Sequence, residues 1–115
     1  MASPTKVEDF LTKEFIEEIS LSSNLTYGTA IYRRGAVEFI RQEANVIEGW
    51  AGGLDGSVKE GAGQRRRVTF TLAKAKLYWN CTGNPKNHQI FCKHCIALAL
   101  AVQGSNRHTE PKELL

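Results

Sequence analysis

The chain has 115 residues, three cysteines and a formal net charge of +3 at neutral pH. A chain of this length makes one domain with a modest core, and its longest apolar run, from Cys95 to Val102, is too short to span a bilayer. An odd number of cysteines without a secretion signal argues against a disulfide framework. We therefore expect reduced thiols in an intracellular protein, cytoplasmic in a prokaryote or nuclear in a eukaryote, that does not contact a membrane.

The first twenty residues predict an amphipathic acidic helix that is separate from the domain after it. Apolar residues recur at helical spacing from Val7 to Ile19, Thr5 and Glu8 fit a capping box, and five acidic residues outnumber two lysines. The helix has a broad apolar stripe that must be covered, either by the sheet of this chain or by a partner. The stripe contains Phe10, Leu11, Phe15, Ile16 and Ile19.

The middle of the chain predicts a helix followed by a small antiparallel sheet. The helix is predicted from Ser23 to Arg34, and Gly35 supplies the left-handed residue that ends it. Beyond Gly35 the period of the apolar residues changes to two, which is typical of strands. Four strands are predicted around 37–42, 46–50, 68–72 and 77–79, with a glycine-rich loop between the second and the third. A buried helix ending at Gly104 and a polar tail, 105–115, complete an α+β fold: a β-meander flanked by helices.

The stretch between the fourth strand and the last helix contains the residue types of a metal site. All three cysteines, Cys81, Cys92 and Cys95, lie there together with His88 and His94. Thiolate and imidazole are the ligands that zinc prefers, and four of them close a tetrahedral structural site. The pattern therefore predicts one structural Zn²⁺ that joins a strand, a polar loop and a helix.

Two segments resemble the SWIM-type zinc finger family. The first runs from Gly28 to Val37, where a helix passes into a strand. The second consists of the run from Trp79 to Gly83, the run from Phe91 to His94 and the Ala/Leu-rich helix that follows. The resemblance covers residues 21–104. It implies a domain used for DNA contact and for protein–protein contact, often beside helicase-like ATPases, transposases or recombination proteins.

The chain departs from the family at one ligand. The family pattern is Cys-x-Cys, a variable loop and Cys-x-His, and Gly83 stands at the position of the second cysteine. The resemblance therefore implies Cys81, Cys92 and His94 as ligands, with the fourth place open to His88, Cys95 or water. We favour His88, and we expect Cys95 to pack in the core as a small apolar thiol.

The finger region is basic, whereas the N-terminal helix is acidic. From Gly28 to Cys95 the net charge is +6, against −3 over the first twenty residues. This asymmetry favours contact with a polyanion, made mainly to phosphates and with little sequence preference. Whichever of Tyr78 and Trp79 points outward is the candidate for base stacking. The cations expected to contact nucleic acid are Arg65, Arg66, Arg67, Lys74, Lys76, Lys86 and Lys93.

These features favour a non-catalytic zinc-binding module that contacts nucleic acid, DNA above all, as a small subunit of a larger nucleic-acid-processing complex. The alternative is a protein–protein adaptor in which zinc is only a structural staple. We do not expect an enzyme, because the chain has no Gly-x-x-x-x-Gly-Lys phosphate-binding motif and no His-Glu-x-x-His zinc motif.

Overall fold

The computed structural model describes residues 6–52, 66–82 and 90–107, which form four helices and one antiparallel sheet. The helices are α1 (Val7–Phe10), α2 (Lys13–Ile19), α3 (Ser22–Arg33) and α4 (Lys93–Arg107). The strands are β1 (Val37–Gln42), β2 (Val46–Ala51), β3 (Arg66–Ala73) and β4 (Lys76–Cys81), in the spatial order β1-β2-β3-β4. The predicted α+β fold with a four-stranded antiparallel meander is confirmed.

The predicted single N-terminal helix is wrong, because the segment forms two short helices with a break at Leu11 and Thr12. Thr12 is the N-cap of α2, and its hydroxyl accepts a hydrogen bond from the Phe15 backbone N–H at 3.1 Å. An N-cap residue has an extended backbone, so a continuous helix cannot pass through it. Thr5, the predicted capping residue, lies outside the described residues.

Four of the five residues of the predicted apolar stripe, all except Phe10, are covered by the chain itself. The residues of α1, α2 and their junction that lie in the main core or pack against it are Val7, Leu11, Phe15, Ile16 and Ile19. Two hydrogen bonds hold the segment in place. The Val7 N–H donates to the Ala44 carbonyl at 2.8 Å, and the Gln103 side-chain amide of α4 donates to the Leu11 carbonyl at 2.7 Å. The stripe was expected to pack either on this chain or on a partner, and in the structure all of it except Phe10 packs on this chain.

The sheet has an apolar inner face and a more polar outer face. Ile47, Phe70 and Trp79 are cross-strand neighbours on β2, β3 and β4, and they point into the core. Successive residues of a strand point to opposite faces, so Glu48 and Tyr78 lie on the outer face. Tyr78 is 53% exposed, whereas Trp79 packs against the core. The outward-pointing aromatic residue of β4 is therefore Tyr78.

Both predicted turns of the meander are present. Residues 43–45 join β1 to β2, and Lys74 and Ala75 form a two-residue turn between β3 and β4. These two residues have positive φ values of 53° and 62°. Such turns normally contain asparagine or glycine, because a β-carbon makes the left-handed conformation unfavourable. The hairpin thus keeps two strained residues at its tip. The predicted glycine-rich loop lies largely outside the described residues.

Helices α3 and α4 cross in close contact, and α4 also covers the inner face of the sheet. A β-carbon added to Gly28 would lie 2.6 Å from Cβ of Ile96, and one added to Gly104 would lie 2.6 Å from the Tyr32 hydroxyl. Glycine at these positions allows the two helices to approach. The predicted end of the last helix at Gly104 is wrong, since α4 continues to Arg107 and this glycine serves packing.

None of the helices in the described part of the chain is long and apolar enough to cross a membrane.

Candidate metal centre

Three of the predicted metal ligands come together where β4 ends and α4 begins. The sulfur atoms of Cys81 and Cys92 lie 3.8 and 4.0 Å from Nδ1 of His94. All three ligand atoms lie within 4.8 Å of one another, and both cysteines are buried. The fold therefore forms a compact Cys/Cys/His group that could bind a metal ion.

The sheet positions the first of these ligands. Cys81 is the last residue of β4 and is paired with Val68, a fully buried residue of β3. Next to this pair, the Thr82 N–H donates to the Arg67 carbonyl, and the Arg67 N–H donates to the Thr82 hydroxyl, both at 3.0 Å. These bonds keep the start of β3 paired with the end of β4, so the Cys81 sulfur is held on a fixed backbone.

The helix positions the other two ligands. Cys92 directly precedes α4, and its carbonyl accepts a hydrogen bond from the Ile96 N–H at 3.0 Å. His94 follows in the first turn of the helix. The two side chains are therefore brought together by the start of a regular helix that is packed on the sheet.

Phe91 anchors the chain just before these ligands. It is 1% exposed and stacks on Phe70 with ring centroids 5.7 Å apart. Its ring also makes edge-to-face contacts with Phe15 of α2, at 6.1 Å, and with Trp79 of β4, at 5.2 Å. Contacts of this kind stabilise beyond the area that they bury. This role of Phe91 was not predicted from the sequence, although an aromatic residue directly before a ligand is a visible signal.

The two cysteines at the start of α4 differ in their tendency to lose a proton. Hydrogen bonding to Cys81, and also to Cys95 and His94, holds the pKa of the Cys92 thiol well below its ordinary value, although burial opposes this effect. Hydrogen bonding to Cys81 and Cys92, together with burial, raises the pKa of the Cys95 thiol. Because metals bind the thiolate, the surroundings of Cys92 favour the form that binds a metal.

The spacing of the group suits a zinc ion. Zinc binds sulfur at about 2.3 Å and imidazole nitrogen at about 2.0 Å, so a sulfur and a nitrogen of a tetrahedral site lie about 3.5 Å apart. The two sulfur–nitrogen distances in this group, 3.8 and 4.0 Å, are only slightly longer. Cys81, Cys92 and His94 would hold the ion, which when bound contributes to folding by joining β4 to α4.

Other residues predicted for the site are placed elsewhere or lie outside the described part. The latter are His88, Lys86 and Arg65. Cys95 is fully buried, as expected, and its sulfur lies 3.7 Å from that of Cys92. It does not belong to the ligand group, which among the described residues contains only Cys81, Cys92 and His94.

The described cations that were predicted to contact nucleic acid lie at two ends of the molecule. Arg66 begins β3 beside the end of β4, and Lys93 directly follows Cys92, so both lie near the Cys/Cys/His group. Lys74 and Lys76 lie at the tip of the β3–β4 hairpin. At about 3.3 Å per residue, the strand separates the two pairs by about 25 Å. They are therefore two basic sites and not one patch.

Arg67 has a structural ion pair that the sequence did not reveal. Its Nε and Nη2 atoms both lie 2.8 Å from Oε2 of Glu48, which also accepts a hydrogen bond from the Thr69 hydroxyl at 3.1 Å. Arg41 lies 3.8 Å from the other carboxylate oxygen. Glu48 is only 8% exposed, and a carboxylate so buried requires such partners. The pairing depends on the register of β1, β2 and β3. If that register were known, the opposite charges at neighbouring positions of the outer face would indicate the ion pair.

Comparison of the chain with protein-family models, with curated proteins and with solved structures found no match.

Proposed function

We propose that the chain is a non-catalytic module of SWIM-like type, held by one structural zinc ion, that adds nucleic-acid contact to a larger complex. The observation that carries the proposal is the Cys81–Cys92–His94 group, with both of its cysteines buried, at the junction of β4 and α4. In this proposal His88 is the fourth ligand, and the alternatives are water and Cys95, whose sulfur lies 3.7 Å from that of Cys92.

The donor set supports a structural rather than a catalytic ion. Structural zinc sites are built from thiolates and imidazoles in closed surroundings, whereas a catalytic site keeps an open position with a general base beside it. Both cysteines of the group are buried, and among the described residues the group contains no carboxylate. Zinc would therefore act by stabilising the strand–loop–helix unit.

Elemental analysis of protein purified without chelators tests the metal. We expect about one zinc ion per chain, lost in Cys81→Ala and His94→Ala. Cys95→Ala is the matched control and keeps the ion, because it removes a neighbouring sulfur that is not a ligand. Loss of zinc in His88→Ala would identify His88 as the fourth ligand, whereas zinc that stays bound in this variant would indicate water. Wild-type protein without zinc would refute the proposal, and loss of zinc in Cys95→Ala would assign the fourth place to that residue.

The proposed nucleic-acid contact rests on the two basic sites. Arg66 with Lys93 and Lys74 with Lys76 lie about 25 Å apart, a length of about seven base pairs of duplex DNA. Such contacts to phosphates carry no base information, so the expected affinity is similar for unrelated sequences and falls steeply with salt. Arg67 is left out of this surface because Glu48 already binds its charge.

Paired variants test this contact by fluorescence anisotropy over a range of salt concentrations. Arg66→Ala with Lys93→Ala, and Lys74→Ala with Lys76→Ala, should each weaken binding and reduce the salt slope by about two. Arg33→Ala with Arg34→Ala removes the same charge from the exposed end of α3 and is the matched control. If the control weakens binding equally, net charge and not the proposed surface is responsible.

A protein–protein adaptor is the second candidate, and one observation favours it. The charges of Arg41 and Arg67 meet Glu48 on the outer face of the sheet, and that face also exposes Tyr78. A surface with compensated charges and an exposed aromatic ring is better suited to a protein than to phosphates. A helicase-like ATPase, a transposase or a recombination protein would be the kind of partner. Absence of nucleic-acid binding, together with salt-insensitive capture of such a partner, would favour the adaptor.

A further inference from the structure

Cys92 and Cys95 form a close pair of thiols. They are separated by two residues at the start of α4, and their sulfur atoms lie 3.7 Å apart. Cys92 belongs to the Cys/Cys/His group and is 8% exposed, whereas Cys95 is not in the group and is fully buried. A small oxidant therefore reaches Cys92 first, and the Cys95 sulfur lies close enough to take part in the next step.

The backbone at this position already suits a disulfide bond. Disulfides join residues whose Cα atoms are about 4.4–6.8 Å apart, with sulfurs about 2.0 Å apart. Residues three apart on a helix have Cα atoms about 5 Å apart, and the 3.0 Å bond from the Ile96 N–H to the Cys92 carbonyl shows that this turn is helical. The sulfurs can therefore meet by side-chain rotation, without loss of a backbone hydrogen bond.

We propose that Cys92 and Cys95 form a reversible disulfide on reaction with a peroxide, and that this bond withdraws Cys92 from the metal and releases the ion. The release of the ion rests on the proposed zinc site, whereas the disulfide itself does not.

The reaction has two steps, and the peroxide is the oxidant in it. The Cys92 sulfur attacks a peroxide oxygen, the O–O bond breaks, and Cys92 becomes a sulfenic acid while the other oxygen leaves as water. The Cys95 sulfur then attacks the Cys92 sulfur, the S–O bond breaks, and the hydroxyl leaves as a second water with the Cys95 proton. Two thiols are oxidised by two electrons in total, and hydrogen peroxide is reduced to two water molecules. A dithiol reverses the bond.

Peptide mapping of the zinc-loaded full-length protein tests the proposal. The protein is treated with hydrogen peroxide, the remaining thiols are alkylated, and trypsin is added without a reductant. Cleavage after Lys76, Lys86, Lys93 and Arg107 separates the three cysteines into peptides 77–86, 87–93 and 94–107, so the mass of a linked pair identifies the bond. We expect 87–93 linked to 94–107, with about one zinc ion released per disulfide and both changes reversed by dithiothreitol and added zinc.

Two variants separate the disulfide from the metal. Cys95→Ala should keep its zinc before oxidation, form no link and leave Cys92 as a sulfenic acid that dimedone traps. His94→Ala keeps both thiols but lacks a ligand, so the disulfide should form with no zinc to release. If Cys95→Ala does not fold, the wild-type peptide map still decides.

Other results of these experiments would overturn the proposal or one part of it. A link between 77–86 and 87–93, a link between two chains, or the absence of any link would overturn the proposal. Zinc that stays bound after the disulfide has formed would overturn its coupling to the metal. A protein that forms the bond but never contained zinc would refute the proposed zinc site and leave the disulfide standing.

Discussion

Glu48 is the residue on which the polar network of the outer sheet face depends. It is 8% exposed and receives its closest contacts from Arg67, at 2.8 Å. Arg67→Ala should lower the free energy of unfolding by about 1–2 kcal/mol, because it leaves a buried carboxylate without its main partner. This expected loss in the free energy of unfolding is smaller than that for a fully buried ion pair because the Arg67 side chain is 48% exposed. Urea denaturation measures it.

Arg66→Ala is the control for this prediction, since the two arginines are adjacent in β3 and only Arg67 pairs with Glu48. We expect Arg66→Ala to change the stability by no more than about 0.5 kcal/mol. Equal losses in the two variants would contradict a specific role for the ion pair.

Ala75 is a residue at which the native side chain opposes the backbone. Its φ of 62° is unfavourable for any residue with a β-carbon. Ala75→Gly should therefore raise the free energy of unfolding by about 1 kcal/mol, even though glycine increases the entropy of the unfolded chain. Thermal denaturation is the measurement. Ala73→Gly, at the last residue of β3, is the control and should destabilise instead; a loss of stability in both variants would show that the turn is not strained.

At the scale of elements, Phe91 joins α2, β3 and β4 to the start of α4 through three aromatic contacts. Phe91→Ala should cost about 3–5 kcal/mol of stability, the usual loss for a buried aromatic residue. Because the next residue is Cys92, we also expect weaker zinc binding in a competition assay with a chromogenic chelator. Ile90→Ala is the control, since Ile90 is 39% exposed. Zinc affinity that stays at the wild-type value would show that Phe91 supports the core alone.

At the scale of the whole molecule, the Cys/Cys/His group links the last strand of the sheet to the helix that covers it. If zinc occupies the group at about a hundred times its dissociation constant, it adds about 2.7 kcal/mol, which in a domain of this size corresponds to about 10 °C in melting temperature. Excess chelator should lower the melting temperature by about that amount. His94→Ala should melt at the lower temperature with or without chelator. A wild-type melting curve that chelator leaves unchanged would show that the group has no metal to lose.

The elements and the ligand types followed from the sequence because both depend on local order. A period of two in apolar residues predicts strands wherever it occurs, and Gly35 ends α3 with a φ of 73°, as its position before a strand suggested. The break at Thr12 was also local, but a threonine inside a helical pattern does not reveal whether its hydroxyl caps a new helix. Cysteine and histidine near a strand end predicted a metal site through ligand chemistry alone.

Distances between segments were decided only by the tertiary structure. Cys81 and His94 meet because β4 ends where α4 begins, and no property of the loop between them determines that separation. The division of the predicted basic surface has the same origin: Arg67 is a diagonal neighbour of Glu48 only in the observed strand register, and the length of β3 separates Arg66 from Lys74. Composition determines which charges and ligands a chain has, whereas the packing of the sheet against its helices determines which of them are neighbours.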